Sequence, residues 1–97
     1  MGQNNENGLE AFLSLCMKIK SLKQMRELFD LFFTPEELDA LDGRYRIVCA
    51  LLAAEDSQRT MADKLNVSIA KITRGSNGLK KIDGDLKSFL ESECTSS

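Results

Sequence analysis

Histidine and tryptophan are absent from this 97-residue chain, proline and tyrosine occur once each, and the three cysteines are scattered. Without histidine and without a CxxC pair the common zinc ligand sets cannot be assembled, so no metal site is expected. Lack of histidine also removes the commonest general base. No glycine-rich phosphate loop or base-paired cysteine compensates, and no catalytic residue is identified. Adjacent acids such as Glu36-Glu37 and Glu55-Asp56 fall at helix starts, where they complement the helix dipole. No apolar run approaches membrane-spanning length and no signal-peptide pattern is visible, so a cytoplasmic location without a membrane partner is expected. Cys16, Cys49 and Cys94 are far apart and odd in number, and are expected to be reduced thiols. Strand alternation and internal repeats are missing as well. What is left is an all-α domain of about six helices.

A domain this small buries only part of its apolar surface as a monomer, which favours oligomerisation. Formal net charge is -2, but it is unevenly placed. Between Ser57 and Lys81 six bases, Arg59, Lys64, Lys71, Arg74, Lys80 and Lys81, face the single acid Asp63, a local +5 that leaves -7 on the rest of the chain. A basic face on an acidic body suits one phosphate surface without general attraction to polyanions.

Residues 1–8 are polar and are expected to form a disordered arm, the helical domain covering 9–92 and a polar tail 93–97, with fraying from Glu91 onward. From Leu9 to Phe33 apolar residues recur at spacings of three and four, through Phe12, Leu15, Cys16, Ile19, Leu22, Met25, Leu28, Phe29 and Phe32. As one rod this segment would reach about 37 Å at 1.5 Å per residue, against a radius of gyration of about 13 Å for such a domain. The helix therefore breaks or packs on another subunit. Thr34-Pro35-Glu36-Glu37 supplies an N-cap, a proline at the first helical position and a glutamate at the third, and so starts a new helix. Asp42-Gly43 is expected to end it, a central helix then running from Arg44 to Ala54. Asp83 can cap a final helix bearing Leu86, Phe89 and Leu90.

The segment 58–80 reads as a helix-turn-helix. Met61, Ala62 and Leu65 share one face of a first helix, and Asn66 suits a left-handed turn. Ser68 caps a second helix anchored by Val67, Ile69 and Ile72. A small residue at Ala62 allows steeply crossing helices to approach. The alternative is an ordinary helical hairpin. In a helix-turn-helix the start of the second helix meets base edges, so Arg59 and residues 68–73 are candidate DNA contacts. Arg59 can hold guanine O6 and N7 with two hydrogen bonds. Gln58, Lys71, Thr73, Lys80 and Lys81 suit phosphates or water-bridged contacts, Ile69 and Ala70 a thymine methyl. The alternative for any of these bases is a solvated face, the reading that suits Lys64 and Lys87 individually. From the residues alone Arg74 is a phosphate contact and Arg44 a surface ion-pair partner.

Ile72-Thr73-Arg74-Gly75-Ser76-Asn77, Ser57-Gln58-Arg59, the run Gly43 to Val48, and Phe33-Thr34-Pro35-Glu36-Glu37 together resemble the tryptophan-dependent repressors of bacteria. The likeness is dense from Leu31 to Lys80 and a matter of pattern before it. It implies an intertwined homodimer with a bend near Ser21 to Lys23, double-stranded operator DNA as partner, and L-tryptophan as corepressor. It further implies that Arg44 and Arg74 flank the indole, which a guanidinium can stack upon. Gly75 would let the ligand approach, and the backbone carbonyls of Leu31 and Phe33, contributed by the partner subunit, would meet the ammonium beside Thr34. Two positions depart from the pattern. Lys71 stands for the usual threonine at the base-reading position, and Gly78 for a serine that helps hold the ammonium. Two other readings are a helix-turn-helix regulator of the same superfamily that needs no ligand, and a helical module that binds protein.

Overall fold

The computed structural model describes residues 7–95, which form six helices and no strand. They are α1 (Gly8–Lys18), α2 (Leu22–Phe32), α3 (Pro35–Ala53), α4 (Gln58–Leu65), α5 (Ile69–Leu79) and α6 (Gly84–Thr95). The chain divides into two compact units between Leu38 and Asp39. Residues 1–6 of the expected arm lie outside the described residues, and Asn7 already caps α1 by accepting from the Glu10 amide at 3.1 Å.

The expected break in the first apolar segment is present. α1 ends at Lys18, the backbone is extended at Ile19 and Ser21, and the Ser21 hydroxyl restarts the helix by accepting from the Gln24 amide at 3.0 Å. The first unit is held together by rings. Phe12 lies 5.8, 5.3 and 5.8 Å from Phe29, Phe32 and Phe33, centroid to centroid, and Phe29 stacks on Phe33 at 5.0 Å. No residue of α1 or α2 is buried.

At the start of α3 the capping box closes in both directions. The Thr34 amide donates to Glu37 Oε1 at 2.8 Å and the Glu37 amide to Thr34 Oγ1 at 3.1 Å. The helix does not stop at Asp42-Gly43, contrary to expectation. It continues for 19 residues, because a glycine inside a helix costs only about 1 kcal/mol and the turns on either side outweigh that. Across the same place Arg46 reaches back to Asp42 at 3.1 Å, an exposed pair four residues apart. α3 ends only where Ala54 turns left-handed at φ 54°.

In the second unit Ile47 of α3, Met61 and Ala62 of α4 and Ile72 of α5 are buried, with Ala50, Leu51, Leu65 and Val67 packed around them. Ile72 is wholly inaccessible. α6 begins where Asp83 Oδ2 accepts from the Asp85 amide at 3.0 Å, and it runs to Thr95, through the stretch expected to fray. Cys49 of α3 and Cys94 of α6 form a disulfide, which corrects the expectation of three reduced thiols; Cys16 is free and half-buried. Position along the chain concealed that pairing: the two residues are 45 apart, yet helix packing brings their Cα atoms to 5.3 Å. No helix among the described residues is long and apolar enough to cross a membrane.

Candidate functional site

The geometry of the segment 58–80 follows from three local devices. Ser57 caps α4 through the Thr60 amide at 3.1 Å, and Asn66 ends it in the left-handed conformation at φ 57°, ψ 49°. The Val67 amide then donates to the Ala62 carbonyl at 3.0 Å, and Ser68 caps α5 through the Lys71 amide at 3.3 Å. Ala62, buried at 5% exposure, leaves no side chain long enough to hold the helices apart. The result is a helix-turn-helix in which α4 and α5 pack on each other.

Gln58, Arg59, Ser68, Ile69, Ala70, Lys71, Thr73 and Lys80, the residues expected at DNA, are all exposed. They lie on α4, at the two caps of α5, and on α5 itself. Gln58 Oε1 and the Thr73 hydroxyl are 3.5 Å apart, the outer limit of a hydrogen bond, which ties the start of α4 to the outer face of α5. Lys64, in contrast, is engaged with Asp56 at 2.9 Å.

A cavity of about 640 Å³ lies on the inner side of α5. One wall is a stripe of α3, Asp39 and Ala40, Gly43 and Arg44, Ile47 and Val48, spaced one helical turn apart. The opposite wall is the α5 stripe Lys71, Arg74, Gly75, Gly78 and Leu79, and Val67, Ile82 and Leu90 complete the lining. Thus Arg44, Arg74, Gly75 and Gly78, the expected ligand residues of the second unit, line one cavity. Leu31, Phe33 and Thr34 belong to the first unit, where Leu31 is 75% exposed and Thr34 serves as the cap of α3. Gly75 also has a packing role. A Cβ there would meet Ile47 Cγ2 at 3.0 Å and Leu51 Cδ1 at 3.2 Å, so its absence lets α5 approach α3. At Gly43 and Gly78 a Cβ would meet nothing within 4 Å. Asp39 and the apolar lining at Val67, Leu79, Ile82 and Leu90 were missed in the sequence. The α3 stripe was legible at helical spacing, but an assumed break at Gly43 cut it in two.

The cavity's walls are mostly aliphatic and its cations are Arg44, Lys71 and Arg74, none of which has an ion pair among the described residues. Such a lining is chemically complementary to an apolar body that carries an anionic group. Among the described residues no cluster of acids, cysteines or histidines could hold a metal.

A helix-turn-helix whose second helix turns one side outward and walls a cationic cavity with the other has the build of a DNA-binding regulator. The comparison with known proteins narrows the class. The family model of the Trp repressor protein matches residues 7–94, and the chain belongs to that family, which is regulatory and not enzymatic. It is 46% identical over 93 residues to a Trp operon repressor homolog of Chlamydia trachomatis serovar D, covering 96% of this chain and 99% of that one. With a homolog of the same name from Chlamydia caviae it shares 49% over 89 residues, covering 92% and 88% of the two chains. A third, from Xylella fastidiosa, is 37% identical over 87 residues, 90% of this chain and 92% of its own.

Proposed function

We propose that the protein is a homodimeric repressor of tryptophan-related genes that binds a palindromic operator in the cytoplasm, with L-tryptophan as its corepressor. The observation that carries this reading is the double use of α5. Its outer side presents Ile69, Ala70 and Thr73, while Arg74, Gly75 and Gly78 wall the cavity. A ligand seated against the inner side changes the stability of one orientation of α5 over another, and only that difference can shift binding to DNA. By linkage, operator DNA tightens the ligand by the same factor. Arg44 and Arg74 supply planar cations for the two faces of an indole ring, and the carbonyls of Leu31 and Phe33, with Thr34, are the proposed partners of the ammonium. Arg59 and Lys71 would face the base edges, and Gln58, Ser68 and Lys80 the phosphates.

A dimer is supported by the first unit, where Leu9, Leu13, Leu15, Met17, Leu22, Leu31 and Phe32 remain 42–88% exposed in a single chain. So much apolar surface on two short helices matches a face that another copy covers. A ligand-independent regulator is the second reading, favoured by Gly78, which offers no side-chain partner for an ammonium group.

Binding of the protein to promoter DNA of genes for making or importing tryptophan, at fixed salt, separates these readings. L-tryptophan is expected to tighten the complex by about 5- to 150-fold, the usual range for a coupling between two sites. Equal affinity with and without it would leave the ligand-independent regulator, and no sequence preference at all would overturn both.

A further inference from the structure

The last helix turns very little of itself inward. From Gly84 to Cys94 only Leu90 and Cys94 are half-buried, and every other residue is exposed, Leu86 and Phe89 at 47% and 59%. Leu90 and Cys94 lie one turn apart and so share one face of α6. Leu90 lines the cavity, as does Ile82 just before the helix, while Cys94 is joined to Cys49 of α3. Cys49 in turn follows Val48, another residue of the lining. The disulfide is thus the covalent half of a two-point attachment whose other half is a wall of the cavity. Cys49 and Cys94 are half-buried and not sealed from solvent. Their Cα atoms stand 5.3 Å apart, inside the span of about 4.4–6.8 Å that a disulfide bridges without backbone movement.

Resting on the corepressor reading above, we infer that Cys49 and Cys94 are a reversible redox site, whose oxidation latches α6 against α3 and raises the cavity's affinity for its ligand. The oxidant is a low-molecular-weight disulfide, RSSR. The thiolate of one cysteine attacks a sulfur of RSSR and expels one thiolate, and the thiolate of the other then attacks the mixed disulfide at the protein sulfur and expels the second. The cysteine pair loses two electrons, RSSR gains them, and the two cysteine protons leave on the two RSH formed. Closing the bond holds Leu90 in the cavity wall, because the covalent point lies one turn away on the same face. Opening it leaves Leu90 as the half-buried anchor of the helix, and the wall loosens. In the cytoplasm a disulfide is as a rule transient or redox-sensing, so the pair is open at rest and closes under oxidation. Cys16, in the first unit, is free and takes no part.

The test compares the full-length Cys16→Ser protein oxidised with glutathione disulfide and reduced with a phosphine. Its intact mass should fall by two hydrogens on oxidation, with no glutathione retained. Hydrogen exchange should show the α6 amides losing protection on reduction while those of α4 and α5 keep theirs. Calorimetry should find L-tryptophan bound at least about 5-fold more weakly by the reduced form, the lower end of ordinary coupling between sites. Adding Cys94→Ser should fix the weaker affinity under both conditions. A mass that stays at the dithiol value, or that gains glutathione, overturns the redox site. Unchanged α6 exchange with unchanged affinity overturns the latch, since another surface, such as a second copy over Leu86 and Phe89, would then hold the helix. A loosened α6 with unchanged affinity overturns the coupling to the cavity. L-tryptophan bound by neither form overturns the corepressor reading instead, and the exchange of α6 then decides the latch by itself.

Discussion

The two units of this chain carry comparable apolar patterns and bury them to very different extents. In the first, α1 and α2 have spacings of three and four along their whole length, yet nothing in them is buried, and a ring cluster around Phe12 joins them. In the second, three helices close over Ile47, Met61, Ala62 and Ile72, and a disulfide ties the last helix to α3. The difference teaches that amphipathic period alone does not indicate where a core is. Two helices offer one contact seam, and the rest of each stripe must wait for another surface. Three crossing helices enclose a point.

The largest effect that tests this contrast is at that point. Ile72→Ala, at a fully inaccessible site, should cost about 2–5 kcal/mol of unfolding free energy, the transfer term plus the cavity left behind. Leu22→Ala, at 86% exposure, should stay within about 0.5 kcal/mol if the exposed stripe meets only water. Chemical denaturation of both at several protein concentrations decides between the alternatives. A Leu22→Ala loss that rivals Ile72→Ala and grows on dilution means that another copy buries the first unit, and the contrast between the units then belongs to the single chain only.

Next in size is the Cys49–Cys94 bond. It closes a loop across a separation of 45 residues, for which chain entropy gives a stabilisation of about 4 kcal/mol and typical disulfides about 2–4. Melting with and without dithiothreitol should show that loss, and Cys94→Ser should remove the dependence while Cys16→Ser leaves it. The bond lies wholly in the second unit, so a reductant that left the second unit's stability unchanged would show that helix packing alone fixes α6. The comparison of the two forms measures how much of the second unit's order survives without its staple.

What was legible in the sequence follows the reach of the interactions concerned. The turn at Asn66, the cap at Ser68 and the capping box of Thr34 and Glu37 are all settled within three or four residues, and each is present. Arg44, Arg74, Gly75 and Gly78 came from the family resemblance, and their common cavity is a consequence of α3 and α5 packing through Gly75. Long-range pairing was not legible. Cys94 meets Cys49 only because α6 packs beside α3, and Leu90 reaches the cavity for the same reason. Asp39 was not legible because Asp42-Gly43 reads as a helix end, whereas α3 runs through Gly43 and places Asp39 one turn from it on the same stripe.

That glycine provides the smallest and sharpest test. Gly43 lies in the interior of α3, far from any cap, with no left-handed backbone to justify it and no atom within 4 Å of where a Cβ would stand. Helix propensity alone makes it a liability of about 0.5–1 kcal/mol relative to alanine. Gly43→Ala should therefore raise unfolding free energy by that amount, a gain readable as a small upward shift in Tm. The same residue lies in the α3 stripe facing the cavity, one turn from Asp39 and one from Ile47. A methyl group there takes space that a flat ligand would use. If the glycine is kept for that ligand, the stabilised variant should bind L-tryptophan less tightly, stability and affinity moving in opposite directions. A variant that gains stability and binds as before would mean that the ligand does not extend to this end of α3, and would shift the bound ring toward Ile47 and Val48.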